Sequence, residues 1–455
     1  MTTHVFAGCG SFMAGLCCIA KEMGHSVKAY DISFQPPMKH QLANAGITMI
    51  EGYDQVNIQP QDTVIVGNAI SRGLPALEHL LENKHKVYSG AGWLSQQVLQ
   101  HRNTIAIAGT HGKTTTTALT TWILDQMGLE PGFLLGGIPT NIPTSARLGH
   151  QPWFVIEADE YDTAYFDKRP KFFHYPARGL ILNNLEYDHA DIYENIQAIC
   201  KQVKHYLQTL RPNTPVIYPA NCDYLRPLMA DAHWCQGIPT HSDQADQPWH
   251  LKPLSVDWSS FVIVDANQTH HTVSWSLIGK HNALNALNIA ALLTHLGMET
   301  ASIIQHMSTF KGVTKRMQAI PNTQQGQLLW DDFAHHPTAI ASVLQTLKAR
   351  EPNRRLVVYL QLANYTQREG LMWQDIIKAT RLADLIFIQQ QPGLFPYRQF
   401  AHEHHLDVII LDQANTTPEY VQSLLKPKDQ IICCSSRDCS LFHQAVTAEI
   451  IEVNQ

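Results

Sequence analysis

The segment from Gly109 to Thr114 has the residue types and spacing of a phosphate-binding loop. It follows an apolar, β-branched run at residues 104–108 and precedes an amphipathic stretch with helical periodicity. A strand, a glycine turn and a helix N-terminus in this order direct several backbone N–H groups and the positive end of the helix dipole at one point. Lys113 would contact the β- and γ-phosphates of a nucleotide, and the hydroxyl of Thr114 would hold Mg²⁺.

This loop is a shortened form of the common nucleotide-binding pattern. The pattern G-x-x-x-x-G-K-[ST] has a glycine where this chain has Ile107, so the motif reads G-T-H-G-K-T. The alternative is an ordinary turn with a chance Gly-Lys-Thr, which the correct flanking elements disfavour. We therefore predict ATP or GTP as a ligand. The loop residues predicted to bind it are Gly109, Thr110, His111, Gly112, Lys113, Thr114 and Thr115.

Acidic and polar side chains follow two apolar strands of the same region. Residues 157–162, E-A-D-E-Y-D, come after one strand, and residues 183–189, N-N-L-E-Y-D-H, come after the next. The carboxyl ends of strands form the ligand-binding edge of α/β sheets, and Mg²⁺ prefers oxygen ligands. Glu157 is therefore a predicted ligand beside Thr114, whereas the imidazole of His189 is a less usual one. The alternative is an acidic, solvated loop in which His189 caps a helix.

A second glycine-rich turn, near the start of the chain, predicts another anion site. Gly8 and Gly10 follow a strand and Ser11 opens a helix. Asp31 ends the next strand, where it could accept hydrogen bonds from a ribose or a base. The spacing G-x-G-x-x-x-x-G departs from the dinucleotide pattern G-x-G-x-x-G, and an NAD site is the rival interpretation. A phosphoryl-transfer loop about a hundred residues later favours a nucleotide-linked substrate held by its diphosphate.

The composition is that of an enzyme with several domains. The 455 residues suffice for roughly three domains, and 44% hydrophobic residues suffice for substantial cores. A net charge of −6 gives no reason to expect nucleic acid or an anionic membrane as a partner. No apolar stretch approaches the ~20 residues that cross a bilayer, and no secretion signal is evident. With nine cysteines in no regular framework, we expect a cytoplasmic protein; its oligomeric state is not predicted.

Alternating strand and helix patterns predict an α/β chain with doubly wound parallel sheets in three blocks. We expect a Rossmann-like N-terminal domain at residues 1–102, a central P-loop ATPase-type domain at 103–312 and a Rossmann-like C-terminal domain at 313–455. A polar segment, residues 231–249, is expected to be a surface excursion of the central block.

Four motifs occur together in this chain: the glycine loop with its threonines at 109–116, the two acidic segments described above, and His281-Asn282-x-x-Asn285. In this combination the chain resembles the Mur ligases of peptidoglycan synthesis over roughly its first 340 residues. Within that family it most resembles a ligase of peptidoglycan recycling, and it differs from the ligase that adds L-alanine. The segments that make this distinction are residues 35–38, 67–69, 166–172 and 331–340.

The resemblance implies a three-domain enzyme that binds a UDP-sugar, ATP and an incoming amino acid or peptide in its first, second and third domains. It places Lys113 at the transferred phosphate. It also implies that the catalytic residues are Lys113, Glu157 and His189. Mg²⁺ would be held by Thr114, Glu157 and His189. Asn282 and Asn285 would reach the adenine, and Arg316 and Asp332 would close over the nucleotide. The UDP-muramoyl site would comprise Gly8, Gly10, Ser11, Phe12, Asp31 and Asn68.

The implied reaction is ATP-dependent amide formation between UDP-N-acetylmuramate and L-alanyl-γ-D-glutamyl-meso-diaminopimelate through an acyl phosphate. One alternative keeps the reaction but uses L-alanine as the amine. A second alternative is a non-catalytic nucleotide or UDP-sugar binder, because the third block departs from the family's pattern. Residues 361–366 lack the family's acid, proline and arginine, and residues 435–443 lack its glycines. Arg437 or Arg368 could replace the missing arginine.

Lys204 is a separate expectation from the resemblance. Some Mur ligases bridge a second Mg²⁺ with a carbamylated lysine, and Lys204 lies at about the right spacing after His189. The alternative is an ordinary amine on the surface of a helix.

Overall fold

The computed structural model describes residues 2–54, 57–241, 247–362, 365–368, 371–389, 406–412, 416–435, 437 and 439–447. These residues form three main sheets of five, ten and six strands, with helices packed on their faces, and one small two-stranded sheet. The predicted α/β fold class is confirmed. Each main sheet lies within one of the three predicted blocks, whose bounds stay a prediction.

The first sheet is parallel and doubly wound, with the strand order β3-β2-β1-β4-β5. The strand order reverses between β1 and β4, and such a switch point opens a ligand crevice at the carboxyl ends of the strands. Its strands are β1 Thr2–Phe6, β2 Ser26–Asp31, β3 Thr48–Glu51, β4 Thr63–Val66 and β5 Val87–Ser89. Its helices are α1 Ser11–Glu22, α2 Met38–Asn44, α3 Pro75–Glu82 and α4 Gly90–Gln97.

The central sheet has β6, the strand before the P-loop, between β12 and β9 in its interior. Most residues of these three strands are buried and apolar because both faces of this sheet are covered. The strands of this block are β6 Asn103–Ala108, β7 Gly132–Leu134, β8 Ala146–Arg147, β9 Trp153–Glu157, β10 Asp162–Ala164, β11 Asp167–Pro170, β12 Ala177–Leu182, β13 Pro215–Pro219, β14 Gln236–His241, β15 Trp249–Pro253, β16 Ser260–Val264 and β17 His270–Ser274. Its helices are α5 Lys113–Gln126, α6 Ile196–Thr209, α7 Leu225–Asp231, α8 Lys280–His295 and α9 Thr300–Met307.

The prediction of a surface excursion at residues 231–249 is wrong for residues 236–241 and for Trp249, and residues 242–246 lie outside the described residues. Residues 236–241 form β14, which pairs in parallel with β13 inside the sheet. Trp249, at the start of β15, is only 1% exposed. The prediction assumed that polar side chains are exposed. Thr240 is buried instead, because its hydroxyl donates to Asn288 Oδ1 at 2.8 Å.

Helix α8 fills the space between the central sheet and helices α5 and α9. Eleven of its sixteen residues are buried, since alanine and leucine surround most of its circumference. The exception is a polar stripe at i, i+3 and i+6 formed by Asn282, Asn285 and Asn288. Despite this burial, none of the helices in the described ranges has both the length and the apolar character needed to span a bilayer.

The third sheet has the order β18-β19-β23-β20-β21-β22 and is parallel except for β18. Its strands are β18 Gln318–Ile320, β19 Leu328–Asp332, β20 Leu356–Gln361, β21 Leu385–Gln389, β22 Val408–Leu411 and β23 Gln430–Ser435. The described helices are α10 Pro337–Arg350, α11 Tyr365–Arg368, α12 Trp373–Thr380, α13 Pro418–Leu424 and α14 Ser440–Val446.

The three sheet regions are joined by buried contacts as well as by the chain. The first two share one continuous hydrophobic core, and Gln41 of α2 accepts a hydrogen bond from the backbone N–H of Ser145 at 2.8 Å. The third region contacts the second through an ion pair between Arg350 and Asp257 at 3.0 Å. Cys17, Cys18, Cys433 and Cys434 are free and buried.

A substitution of Gly132 tests the packing at the edge of the central sheet. A Cβ atom at Gly132 would collide with the carbonyl oxygen of Leu148 and the ring of Phe154, neither of which can move away easily. We expect Gly132→Ala to lower the apparent unfolding temperature by about 3–8 °C, measured by calorimetry. In the control Gly237→Ala, the new Cβ meets the flexible methyl of Met229 at 3.3 Å. Equal melting temperatures for the two variants would contradict the packing described.

Candidate active site

The P-loop connects β6 to α5 with two glycines in the left-handed region, Gly109 at φ +133° and Gly112 at φ +80°. A Cβ at Gly112 would lie 2.9 Å from Oδ1 of Asn285, and one at Gly109 would lie 3.1 Å from the backbone of Asn184. Both positions therefore need glycine for conformation and for space. The turn that sequence spacing indicated is formed, and its amides precede Lys113 at the N-terminus of α5.

Two asparagines after β12 hold the P-loop in place. Asn184 accepts a hydrogen bond from the His111 backbone N–H at 2.8 Å and donates to the His111 carbonyl at 3.2 Å. Asn183 donates to the hydroxyl of Thr116 at 2.9 Å and accepts from Asn288 of α8 at 3.1 Å. The sequence analysis gave these asparagines no role. The available signal was their position directly after the strand beside the P-loop strand.

Lys113 is buried and bound to a carboxylate that the sequence analysis did not assign to the site. Its Nζ donates to both oxygens of Glu160, at 2.9 and 3.1 Å, and to the Gly109 carbonyl at 2.7 Å. Burial alone would lower the pKa of Lys113, but Glu160 and Asp159 raise it above its usual value, so the ammonium stays charged.

Glu160 also binds His189, and it is therefore the shared partner of two predicted catalytic residues. His189 Nε2 lies 2.9 Å from Glu160 Oε1, and its ring lies against Tyr161 at a centroid distance of 4.2 Å. Burial would raise the pKa of Glu160, but Lys113 and His189 together lower it to about 2. The buried acid stays ionised because Lys113 and His189 both stabilise its charge.

Thr114 and Glu157 supply the oxygen atoms expected of a Mg²⁺ site. The Thr114 hydroxyl donates to Glu157 Oε2 at 3.2 Å, and the Gly136 N–H donates to the other carboxylate oxygen at 2.6 Å. Burial and the charge of Asp159 raise the pKa of Glu157 to about 7. The groups around this carboxylate therefore supply too little positive charge to offset its burial. A hard divalent cation fits this donor pair. His189 is engaged with Glu160, so its role as a ligand stays a prediction.

Arg316 reaches the P-loop from the third sheet region. Its guanidinium donates to the Thr114 hydroxyl at 3.2 Å and stacks on the ring of Phe333 at 4.4 Å. Asp332 accepts from the backbone N–H groups of Met317 and Ala334, both at 2.6 Å. Asp332 therefore fixes the turn that carries Arg316.

The two predicted adenine contacts differ in what they do in this structure. Asn285 lies against Gly112 of the P-loop, as described above. Asn282 donates to the Ile278 carbonyl at 2.8 Å at the start of α8. Their contact with adenine stays a prediction.

A cleft of about 680 Å³ opens at the switch point of the first sheet. Five of the six residues predicted for the UDP-sugar line it, namely Gly10, Ser11, Phe12, Asp31 and Asn68. Gly8 does not line it; a Cβ there would lie 2.8 Å from Cβ of Ala29, so this glycine serves close packing against β2. Asp31 accepts from the Cys9 N–H at 2.8 Å and so holds the glycine turn.

The segment after β9 borders this cleft and the P-loop at once. Asp159 and Tyr161 line the cleft, whereas Glu157 and Glu160 face the P-loop. Lys171, which the sequence analysis did not single out, also lines the cleft. Its Nζ lies 3.4 Å from Asp159 Oδ2 and 4.8 Å from the centre of the Phe12 ring, and only 11% of its side chain is exposed.

Lys204 lies away from these contacts, on the surface of α6. Its Nζ pairs with Asp231 at 2.9 Å, and both side chains are exposed. This position agrees with an ordinary helix-surface amine. A role of Lys204 in bridging metals stays a prediction.

The fold and the site together define a P-loop enzyme with a second ligand cleft and a third domain that contacts the P-loop. Three family descriptions match successive parts of the chain. Residues 2–102 match "Mur ligase family, catalytic domain", residues 107–293 match "Mur ligase middle domain", and residues 315–437 match "Mur ligase, glutamate ligase domain".

Individual relatives agree with this assignment. UDP-N-acetylmuramate–L-alanyl-γ-D-glutamyl-meso-2,6-diaminoheptandioate ligase of Escherichia coli K12 is 37% identical over 98% of this chain and 97% of its own length. The ligase of the same name from Haemophilus influenzae is 39% identical over 97% and 98%. The crystal structure of a murein peptide ligase from Psychrobacter arcticus has a TM-score of 0.74 and 34% identity, covering 96% of this chain and 95% of that one. The chain belongs to the Mur ligase family, a family of ATP-dependent ligases.

Lys113→Met tests the nucleotide site. The methionine keeps the length of the side chain but removes the ammonium that would contact a phosphate. We expect a non-hydrolysable ATP analogue to bind about 10- to 100-fold more weakly, measured by calorimetric titration with Mg²⁺ present. The matched control Lys204→Met removes only an exposed ion pair and is expected to change the affinity less than about twofold. Unchanged affinity in folded Lys113→Met protein would contradict the assignment.

Proposed function

We propose that this chain joins UDP-N-acetylmuramate to L-alanyl-γ-D-glutamyl-meso-diaminopimelate in an ATP- and Mg²⁺-dependent reaction in the cytoplasm, as a step of peptidoglycan recycling. The observation that carries the proposal is identity of 37 and 39%, over nearly the whole chain, to two ligases with these substrates in their names. The cleft of the first domain and the P-loop share the segment after β9, which supports a reaction between the two ligands.

The cleft suits a nucleotide diphosphate sugar. The N-terminus of α1, at Gly10 and Ser11, lies at its wall and offers backbone N–H groups and the helix dipole to a diphosphate. Asn68 lies on the opposite side of the switch point, after β4. With the diphosphate at α1, the muramoyl carboxylate would extend toward Asp159 and Lys171, next to the P-loop.

The muramoyl carboxylate is a poor electrophile and must be activated before an amine can attack it. The muramoyl carboxylate attacks the γ-phosphorus of ATP, ADP leaves, and an acyl phosphate forms; the amine of the peptide then displaces phosphate. The first step brings two anions together, and Lys113 and the P-loop amides offset their repulsion. Mg²⁺ held by Thr114 and Glu157 would add further positive charge at the phosphates.

Water must be excluded, because an acyl phosphate hydrolyses readily. The third domain supplies Arg316 to the P-loop and places His336, the N-cap of α10, 3.2 Å from the Tyr187 carbonyl. These contacts bring the amine-binding domain over the nucleotide site, as protection of the intermediate requires.

The amine site is proposed at the carboxyl ends of β20 and β23. Gln361 accepts a hydrogen bond from the Ser435 hydroxyl at 2.7 Å, which joins these two strand ends. Arg437 is exposed directly beyond β23, and its carbonyl accepts from Lys315 at 2.7 Å. Arg437 is therefore available for a substrate carboxylate. The side chain of Arg368 lies outside the described residues, as do residues 363, 364, 436 and 438.

L-Alanine is the second candidate amine. A UDP-N-acetylmuramate–L-alanine ligase of Psychrobacter sp. is 28% identical over 85% of this chain. The tripeptide is favoured because the ligases named for it match a larger part of the chain with higher identity. A non-catalytic binder is disfavoured because Lys113, Glu157 and Thr114 lie together at the P-loop.

A phosphate-release assay across a panel of amines tests this proposal. With ATP, Mg²⁺ and UDP-N-acetylmuramate, we expect kcat/KM for the tripeptide to exceed that for L-alanine by at least about 100-fold, because more binding groups contribute to the transition state. Product formation is checked by mass spectrometry. Faster turnover with L-alanine would select the second candidate, and absence of phosphate release with every amine would select the non-catalytic one.

Lys171→Met tests the path of the muramoyl substrate. Loss of the ammonium at the inner end of the cleft is expected to lower kcat/KM for UDP-N-acetylmuramate by about 10- to 100-fold and to leave ATP affinity unchanged. The control Lys168→Met lies in the same segment but removes an exposed ammonium, which pairs with Asp162. Equal kinetics in the two variants would show that Lys171 does not meet the substrate.

A further inference from the structure

Two histidines and a glutamate converge beside the P-loop, apart from the network of Lys113 and Glu160. His111 Nε2 lies 3.5 Å and His336 Nδ1 lies 3.4 Å from the same atom, Glu186 Oε2. All three ligand atoms lie within 4.8 Å of one another. His111 belongs to the P-loop and Glu186 to the loop after β12, whereas His336 precedes α10 in the third domain.

The hydrogen bonds of His336 show which of its ring nitrogens carries the proton. His336 Nε2 is 3.2 Å from the Tyr187 carbonyl and must donate to it, whereas Nδ1 accepts from the Thr338 N–H at 3.3 Å. Nδ1 therefore carries no proton, and a metal ion bound there would replace its 3.3 Å hydrogen bond from the Thr338 N–H. His111 Nε2 is buried and has no hydrogen-bond partner among the described residues. A buried polar atom without a partner is costly, and a cation between the three atoms would give His111 Nε2 a partner.

The ligand side chains are already oriented by a second set of contacts. The Thr338 hydroxyl donates to Glu186 Oε2 at 2.6 Å. The Thr110 hydroxyl accepts from the Glu186 N–H at 2.9 Å, which holds that residue beside the P-loop. Asn184 forms two hydrogen bonds to the backbone of His111, as described above. Hydrogen bonds from ligand residues to carbonyls and hydroxyls are the usual outer shell of metal sites.

The charges of the cluster suit a transition-metal ion. Burial would raise the pKa of Glu186, but His111, His336 and the Thr338 hydroxyl lower it to about 2, so the carboxylate is ionised. Burial lowers the pKa of His336 and keeps its ring neutral. Imidazole nitrogens and carboxylate oxygens are ligands of Zn²⁺ and related ions, whereas Mg²⁺ prefers oxygen atoms and water.

We propose that His111, Glu186 and His336 form a binding site for one divalent transition-metal ion, such as Zn²⁺, that ties the P-loop to the third domain. Metal–ligand bonds of ~2.1 Å in a tetrahedron separate neighbouring ligand atoms by about 3.4 Å, which matches the two shorter distances. Rotation of the imidazole rings, now 4.4 Å apart, brings the remaining pair into range. The fourth position stays open for water. The site does not depend on the identity of the ligase substrates.

Cobalt titration of the full-length, EDTA-treated protein tests this site. Co²⁺ at a site with two nitrogen ligands and one oxygen ligand gives a visible absorption band, and we expect one Co²⁺ per chain, displaced by Zn²⁺ but not by millimolar Mg²⁺. Glu186→Gln and His336→Asn are each expected to weaken Co²⁺ binding by at least about 100-fold. Asparagine retains the cap of α10, so folding is preserved in the second variant.

His271→Asn is the matched control, because it removes another partly buried histidine that pairs with a carboxylate, Asp265, at 2.9 Å. It should bind Co²⁺ as the parent does. The proposal is overturned if the parent shows no stoichiometric band, or if both cluster variants retain the parent's affinity.

Discussion

Charge compensation in a buried space is the interaction on which the catalytic region depends. Lys113 would lose its charge through burial, and Glu160 would gain a proton, but each keeps its ionised form because the other lies 2.9 Å away. The pair is possible only because β6, β9 and β12 are adjacent and parallel, so that their carboxyl ends meet at one edge. A nucleotide phosphate at Lys113 would supply negative charge that Glu160 supplies here. Nucleotide binding would therefore change the ion-pair partner of Lys113.

Parts of all three sheet regions lie at this edge of the central sheet. The segment after β9 separates the cleft of the first region from the P-loop by only a few residues, and Arg316 and His336 arrive from the third region. The hydrogen bonds of Arg316 and His336 across this boundary are polar contacts, and contacts of this kind allow domains to move relative to one another. A ligase with an unstable intermediate needs this property, since substrates must enter an open form and react in a closed one. A metal at His111, Glu186 and His336 would act on the same motion by holding the third domain against the P-loop.

Some parts of the site could be predicted from sequence because a local pattern encodes them. The glycine turn, Lys113 and Thr114 are contiguous, so strand, turn and helix signals sufficed to place them together. Glu160, Lys171 and the asparagines after β12 were missed for the opposite reason, since their partners lie between 12 and about 100 residues away and no spacing rule joins them. The error at residues 231–249 has a related cause, because polar side chains were taken as exposed although a distant asparagine of α8 satisfies one of them.

The sequence by itself determined the α/β class, the phosphate-binding turn, the family and the residue types available for catalysis, because each of these follows from short-range periodicity or from contiguous motifs. Only the tertiary structure decided which charged groups are partners, which glycines serve packing and which serve the ligand, and how near the third domain comes to the P-loop. Such pairings arise from the order of strands in a sheet and from burial, and these determine the distance and the dielectric environment on which charge interactions depend.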